Sequence, residues 1–211
     1  MVFGRHSIFG SGSLPYDSRV DYLAGVASKN AYFKTSVVPT STTKIEAEIS
    51  IDISNHTGGW FFNTESTFYN TTSTSTSGNC FGLGWVAPRL NYGGGFSSLS
   101  SYEGFPDKTK VKFEFQGGKA WLDGWLWLDR SGATLTSTTW LPLFANHRGS
   151  SVIECADGSY RIHSFKASDG GAVIVDAIPV RKDGYGEMYD RVTKQFLERH
   201  GTLGVGPDAR G

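Results

Sequence analysis

Three kinds of residue in this 211-residue chain have the chemistry for a site: spaced carboxylates, clustered tryptophans, and scattered serine, histidine and aspartate. The carboxylates come first because their spacing is regular. Between Lys44 and Ile53, the residues Ile45, Ala47, Ile49, Ile51 and Ile53 alternate with Glu46, Glu48, Ser50 and Asp52. A period of two puts the first set on a core and the second in solvent. Glu46, Glu48 and Asp52 therefore share one face. Two carboxylates about 5–5.5 Å apart, flanking a glycosidic bond, are what a retaining glycosidase uses. A solvated strand face presents the same residues with no such role, and that is the expectation here.

The tryptophans lie in Ala120-Trp121-Leu122-Asp123-Gly124-Trp125-Leu126-Trp127-Leu128. Asp-Gly between two apolar runs marks a type I′ hairpin. A two-residue turn there pairs Leu122 with Trp125 and Ala120 with Trp127 on one face, and leaves Trp121, Leu126 and Leu128 on the other. Both faces are apolar, so one packs on the core and the other is either covered or exposed. An exposed Trp pair would stack on sugar rings or grip a partner subunit, since Trp brings a large area and one N–H donor. Trp121, Asp123, Trp125 and Trp127 are therefore the candidate ligand-binding residues. A second lead is the Gly/Ser-rich stretch Met1–Pro15, read as an arm whose Phe3, Ile8 and Phe9 would anchor it on a neighbouring subunit.

Other chemistry finds no motif. No G-x-S-x-G elbow places a serine nucleophile, and His56, His147, His163 and His200 lie near nothing that assigns them a role. Gly93-Gly94-Gly95 is not followed by the Lys-Ser/Thr of a phosphate loop. Asp123, Asp157, Asp169 and Asp183 each precede a glycine, which turn chemistry explains. Cys80 and Cys155 read as two small buried thiols, with a single disulfide left open. Lys+Arg and Asp+Glu number 20 each. A neutral chain has no long-range field for phosphate backbones or anionic membranes, so neither is expected as a partner. Zero net charge is compatible with close packing in an assembly. No apolar run of signal-peptide or membrane-span length is visible, so neither a secretory signal nor membrane insertion is expected.

Roughly a dozen short strands separated by turns hold these residues, with no sustained helical period. The expectation is an all-β fold: an antiparallel two-sheet β-sandwich, in one domain spanning residues 16–211, preceded by a flexible arm over 1–15. Its centre is a hairpin with arms Tyr160–Ala167 and Ala172–Val180 around the turn Ser168-Asp169-Gly170-Gly171. Val173, Ile174, Val175, Ala177 and Ile178 occupy both parities, so the second arm should be buried on both faces. Pro179 should end its ladder, because it has no N–H to donate.

Several runs together carry a family likeness: Trp121-Leu122-Asp123-Gly124; Leu141-Pro142-Leu143-Phe144-Ala145-Asn146; Arg161-Ile162-His163-Ser164-Phe165; Asp176-Ala177-Ile178-Pro179-Val180-Arg181; and Gly186-Glu187-Met188-Tyr189-Asp190. The chain resembles the laminin-G-like, concanavalin A-like lectin/glucanase jelly rolls over about Tyr16 to Pro207. It is most similar to versions in phage structural proteins and gut-bacterial surface proteins. That resemblance implies a sandwich of two curved sheets and little about chemistry, because the fold hosts lectins, glycanases and inert spacers alike. Family glycanases carry a Glu-x-Asp-x-Glu-like strand, and Ser50 breaks that pattern here. Some members bind Ca2+ at loop tips; no other cofactor or metal is expected. The expected role is non-catalytic: a virion surface protein (decoration, fibre or tail-associated) that forms a homo-oligomer, contacts other virion proteins and attaches to host glycans. The alternatives are a lectin-like module of a bacterial cell-surface protein and, least supported, a glycoside hydrolase.

Overall fold

Alternation decides the larger sheet. Val111–Gln116 and Lys44–Ile51 each bury every second residue, except that Ser50, expected in solvent, is buried as well, and they lie side by side with Ile45 opposite Phe115 and Ala47 opposite Phe113. The computed structural model describes residues 14–26, 30–55, 58–65, 80–86, 89–92, 105–129, 137–148, 150–153 and 155–210. Among these the chain is all-β without a helix, and two largely antiparallel sheets pack as a sandwich. One sheet has eleven described strands. Its main path runs from the edge strand Trp125–Asp129 through Lys119–Leu122, Val111–Gln116 and Lys44–Ile51 to the long hairpin Tyr160–Asp169/Ala172–Lys182, then to Tyr185–Asp190 and Gln195–Phe196. The other sheet has eight, centred on Gly59–Glu65, and includes one parallel pair, Asn146–Arg148 against that strand.

Apolar residues of both sheets form one core. Phe62 meets Phe113 and Phe165, Phe61 meets Tyr160, and Phe81 meets Phe115, with ring centroids 5.0–6.0 Å apart. Edge-to-face aromatic pairs of this kind add to the burial of each ring. Four hairpins of the large sheet turn through two residues that both have positive φ: Gly117-Gly118, Asp123-Gly124, Gly170-Gly171 and Asp183-Gly184. Those are type I′ turns, whose twist matches the flanking strands.

The central hairpin is longer than its sequence implies. Pairing continues to Asp169 opposite Ala172, so the turn is Gly170-Gly171 alone, and a bulge offsets the register after Ala167. Pro179 does not end the ladder: the strand runs to Lys182, with Pro179 opposite Met188. Its carbonyl accepts from Val20 N at 3.2 Å. The N and O of a strand residue point to the same side, so the missing N–H faces the short Ser18–Arg19 strand where that strand finishes. Burial on both faces holds from Ala177 to Val180, whereas Val173 near the turn is exposed.

The glycine-rich C-terminus is part of the sheet. Gly204–Val205 pairs with Leu23–Ala24, Leu203 is buried, and Asp208 binds Arg181 at 2.6 Å and Ser18 at 2.9 Å. The segment Leu14–Ala24 is thereby held between the central hairpin and the chain's end. Phe3, Ile8, Phe9 and most of the expected arm lie outside the described residues.

Candidate functional site

The three acids of the alternating strand are tied up in ion pairs. Glu46 faces Glu114 directly across the ladder. Lys44 binds both, at 3.3 and 3.0 Å, Lys112 lies 2.7 Å from Glu114, and Lys166 lies 3.1 Å from Glu46. For Glu46, burial pushes the carboxyl up, but Lys166 and Lys44 together hold it below its ordinary value. Lys112 and Lys44 do the same for Glu114. Glu48 pairs with Lys110 at 3.6 Å. Asp52 leaves the strand, accepts from Asn55 and Ser54, and is lowered to about 2 by those bonds and Lys108. A glycosidase acid needs a raised carboxyl. Among Glu46, Glu114 and Asp52 the structure lowers all three.

The tryptophan hairpin forms where expected, with one change of register. Trp125 pairs with Leu122 and Leu126 with Trp121, but a bulge at Trp127 puts Leu128 opposite Ala120. The expected Ala120–Trp127 pair is therefore absent. Trp127 packs against the core, edge-on to Phe105 at 5.5 Å. Asp123 is committed to the turn: its Oδ1 accepts from Lys112 N at 2.8 Å, and its own N–H donates to the Lys112 carbonyl at 2.8 Å. Trp121 is half-buried. What remains at the tip is Trp125, 81 % exposed, beside Leu126, 53 % exposed. Trp125 makes no ring contact among the described residues.

A second aromatic group leaves no local pattern in the sequence. Across three strands of the smaller sheet, His200 stacks on Tyr32 at 4.4 Å, Tyr32 on Trp140 at 6.0 Å, and Trp140 meets His147 at 4.2 Å. Lys34 lies over Trp140 and pairs with Glu198 at 3.4 Å. Tyr32 has a ring on both faces, and Trp140 lies between Tyr32 and His147. Sugar stacking requires an open face, so this ladder seals the sheet rather than offering a platform.

The structure also gathers a histidine, a serine and an aspartate from positions far apart in the chain. His163 is the extra residue of a bulge: Ile162 pairs with Ile49 and Ser164 with Glu48, leaving His163 unpaired in the ladder. Ser164 Oγ accepts from Glu48 N at the break. A bulge re-aims its side chain, and His163 Nε2 comes to lie 3.0 Å from Ser50 Oγ. On the other side, His163 Nδ1 lies 3.6 Å from Asp21 Oδ1. Arg161 stands directly opposite Ser50, its guanidinium 4.8 Å above the Tyr22 ring, and the edge of Tyr22 meets His163 at 5.4 Å. Burial holds His163 below its ordinary pKa, opposed by Asp21 and aided by Lys110. Spacings of 29 residues between Asp21 and Ser50 and 113 between Ser50 and His163 follow no motif, so only the strand register reveals the set.

Three of the four aspartates considered for Ca2+, Asp123, Asp157 and Asp169, accept hydrogen bonds from their own turn or from a neighbouring segment. Asp169 Oδ1 accepts from the Thr40 and Thr42 hydroxyls at 2.6 Å, and Asp157 Oδ1 from Ser159 N at 2.8 Å. Among the described residues no three His, Cys, Asp or Glu gather as a metal site would require. Cys155 is a free, half-buried thiol, so the disulfide left open by the sequence is not formed, and burial raises its pKa. No family model, curated protein or solved structure matches this chain.

Proposed function

We propose that the chain is a contact module of a surface assembly, of the kind a virion subunit forms, and that it engages a second copy of itself through the Trp125–Leu126 hairpin tip. One observation supports this above others: Trp125 is 81 % exposed and stands beside the exposed Leu126 at the end of the large sheet's edge strand. The two side chains leave opposite faces of the strand, and two large exposed apolar groups at one hairpin tip mark a contact surface more than an ordinary scatter of exposed residues. A net charge of zero leaves little repulsion between copies.

Glycan stacking on Trp125 is the second reading, favoured by its open ring. Leu126 tells against it, because it adds apolar surface that a sugar's hydroxyls do not use. Asp123 tells against it too, since the nearest turn carboxylate already accepts from Lys112 N. Sedimentation analysis of the wild type and Trp125→Ala, with a glycan array on the same samples, separates the two. The contact reading expects a wild-type oligomer that Trp125→Ala dissociates, silent on the array. A monomer that binds a defined sugar overturns it.

A further inference from the structure

We propose that Ser50, His163 and Asp21 form an acyl-transfer site, with Ser50 as nucleophile toward small carboxylic esters. The site is separate from the Trp125 tip and does not depend on it.

The geometry supplies each part of a serine nucleophile. Ser50 Oγ lies within a hydrogen bond of His163 Nε2, at 3.0 Å. The opposite ring nitrogen, Nδ1, faces Asp21 at 3.6 Å. With the proton on Nδ1, Nε2 is free to accept from the serine hydroxyl, which is the arrangement of nucleophile, base and orienting acid. Such contacts are often long without substrate and tighten once it is bound. Two buried nitrogens in this group lack a hydrogen-bond partner, His163 Nδ1 and Arg161 Nε. An unpartnered buried donor is costly. Arg161 stands across the ladder from Ser50, and its Nε–H is the donor this group offers to the negative oxygen that forms when Ser50 adds to a carbonyl. Ser50 is 3 % exposed, so the acyl group proposed for it is a small one.

The reaction balances without a further reagent. His163 Nε2 takes the hydroxyl proton as Ser50 Oγ bonds to the ester carbon. The ester C–O bond then breaks, and the departing alkoxide takes the proton from His163, leaving acyl-Ser50 and an alcohol. Water, deprotonated by the same nitrogen, releases the carboxylic acid.

A fluorophosphonate probe tests this, because its P–F bond is displaced by an activated serine in the same way. Intact-mass and peptide mapping of the full chain should show one adduct, on the peptide carrying Ser50. Ser50→Ala should abolish it. His163→Gln keeps a polar side chain near Ser50 but removes the base, and should slow labelling about 100-fold or more. The rate should rise with pH as His163 loses its proton, with a midpoint below the ordinary histidine value of 6.5. Asp21, Lys110, Arg161 and Tyr22 are the charged and titratable groups facing this ring. Hydrolysis of p-nitrophenyl acetate should fall in parallel in both variants. An unlabelled wild type, a label that survives in Ser50→Ala, or a rate indifferent to His163→Gln in a folded protein would each overturn the site.

Discussion

Leu122 and Trp125 are cross-strand partners on one face of one hairpin, yet Leu122 is 8 % exposed and Trp125 81 %. Leu122 has a second neighbour, Phe113, on the inner side of the sheet. Trp125 belongs to the edge strand and projects beyond the core. The same rung of the ladder therefore contributes one residue to stability and one to contact.

Truncating each should separate those roles. Leu122→Ala leaves a cavity among packed side chains and should cost about 2–4 kcal/mol in urea unfolding. Trp125→Ala removes no buried contact and should change stability by less than about 0.5 kcal/mol. If Trp125→Ala destabilises as much as Leu122→Ala, the tip is part of the core and not a contact surface.

Two glycines admit no side chain. A Cβ on Gly25 would lie 2.4 Å from the carbonyl oxygens of Ala156 and Asp157, and one on Gly59 would lie 2.7 Å from Ala156 Cα at φ 141°. These are backbone atoms, which cannot swing aside. Gly25→Ala and Gly59→Ala should each destabilise by about 3 kcal/mol or more, against little change for Gly170→Asn in its open turn. Thermal melts of the three variants test the contrast.

Those two contacts mark what the sequence could reveal. The Asp123-Gly124 hairpin was legible because its turn chemistry is local, as was the Lys44–Ile51 strand, whose alternation repeats over four rungs. The mispairing at Trp127 and the continuation through Pro179 depend on which side of the ladder each N–H faces, and one residue of bulge changes that. The grouping of Asp21, Ser50 and His163 is remote in the same sense. It requires the register of Lys44–Ile51 against Tyr160–Asp169 and the bulge at His163, neither of which leaves a local pattern. Tyr32, Trp140 and His200 are single aromatics in sequence and become a ladder only when two strands and the segment leading into Pro142–Leu143 are laid side by side.

Asp52 makes the acid limb of stability testable. Its carboxyl falls from 3.8 to about 2 because Asn55, Ser54 and Lys108 favour the charged form. A folded value below the unfolded one means the stabilisation is present above pH 3.8 and is lost as pH falls toward about 2. Asp52→Asn should flatten the decline of stability with pH in that window and leave the neutral limb's slope unchanged. Unfolding curves at stepped pH measure it; an unchanged acid slope would show that Asn55 and Ser54 do not hold the charge.

Asp190 carries the most hydrogen bonds of the central region's carboxylates among the described residues. It is 1 % exposed; Oδ1 accepts from Asp176 N at 2.9 Å and Val192 N at 3.1 Å, and Oδ2 from Thr193 N at 3.3 Å and Thr193 Oγ1 at 2.8 Å. The first bond crosses to the neighbouring strand and the other three close the turn that leads into Gln195–Phe196. Asp190→Ala strips the acceptor from several part-buried amides at once, and each orphaned donor costs about 1–3 kcal/mol. The expected loss is about 3 kcal/mol in urea unfolding, limited by the water that enters the space. Asp190→Asn retains one acceptor oxygen but turns an NH2 toward two donors, so it should fall between alanine and wild type. Thr193→Val removes only one of the four bonds and should cost about 1 kcal/mol. Hydrogen exchange gives the spatial check: the Asp176 and Val192 amides should lose protection in Asp190→Ala, while Ile45 and Phe113 in the distant strands keep theirs. A loss under about 1 kcal/mol for Asp190→Ala, with those amides still protected, would mean the turn is held by its backbone alone.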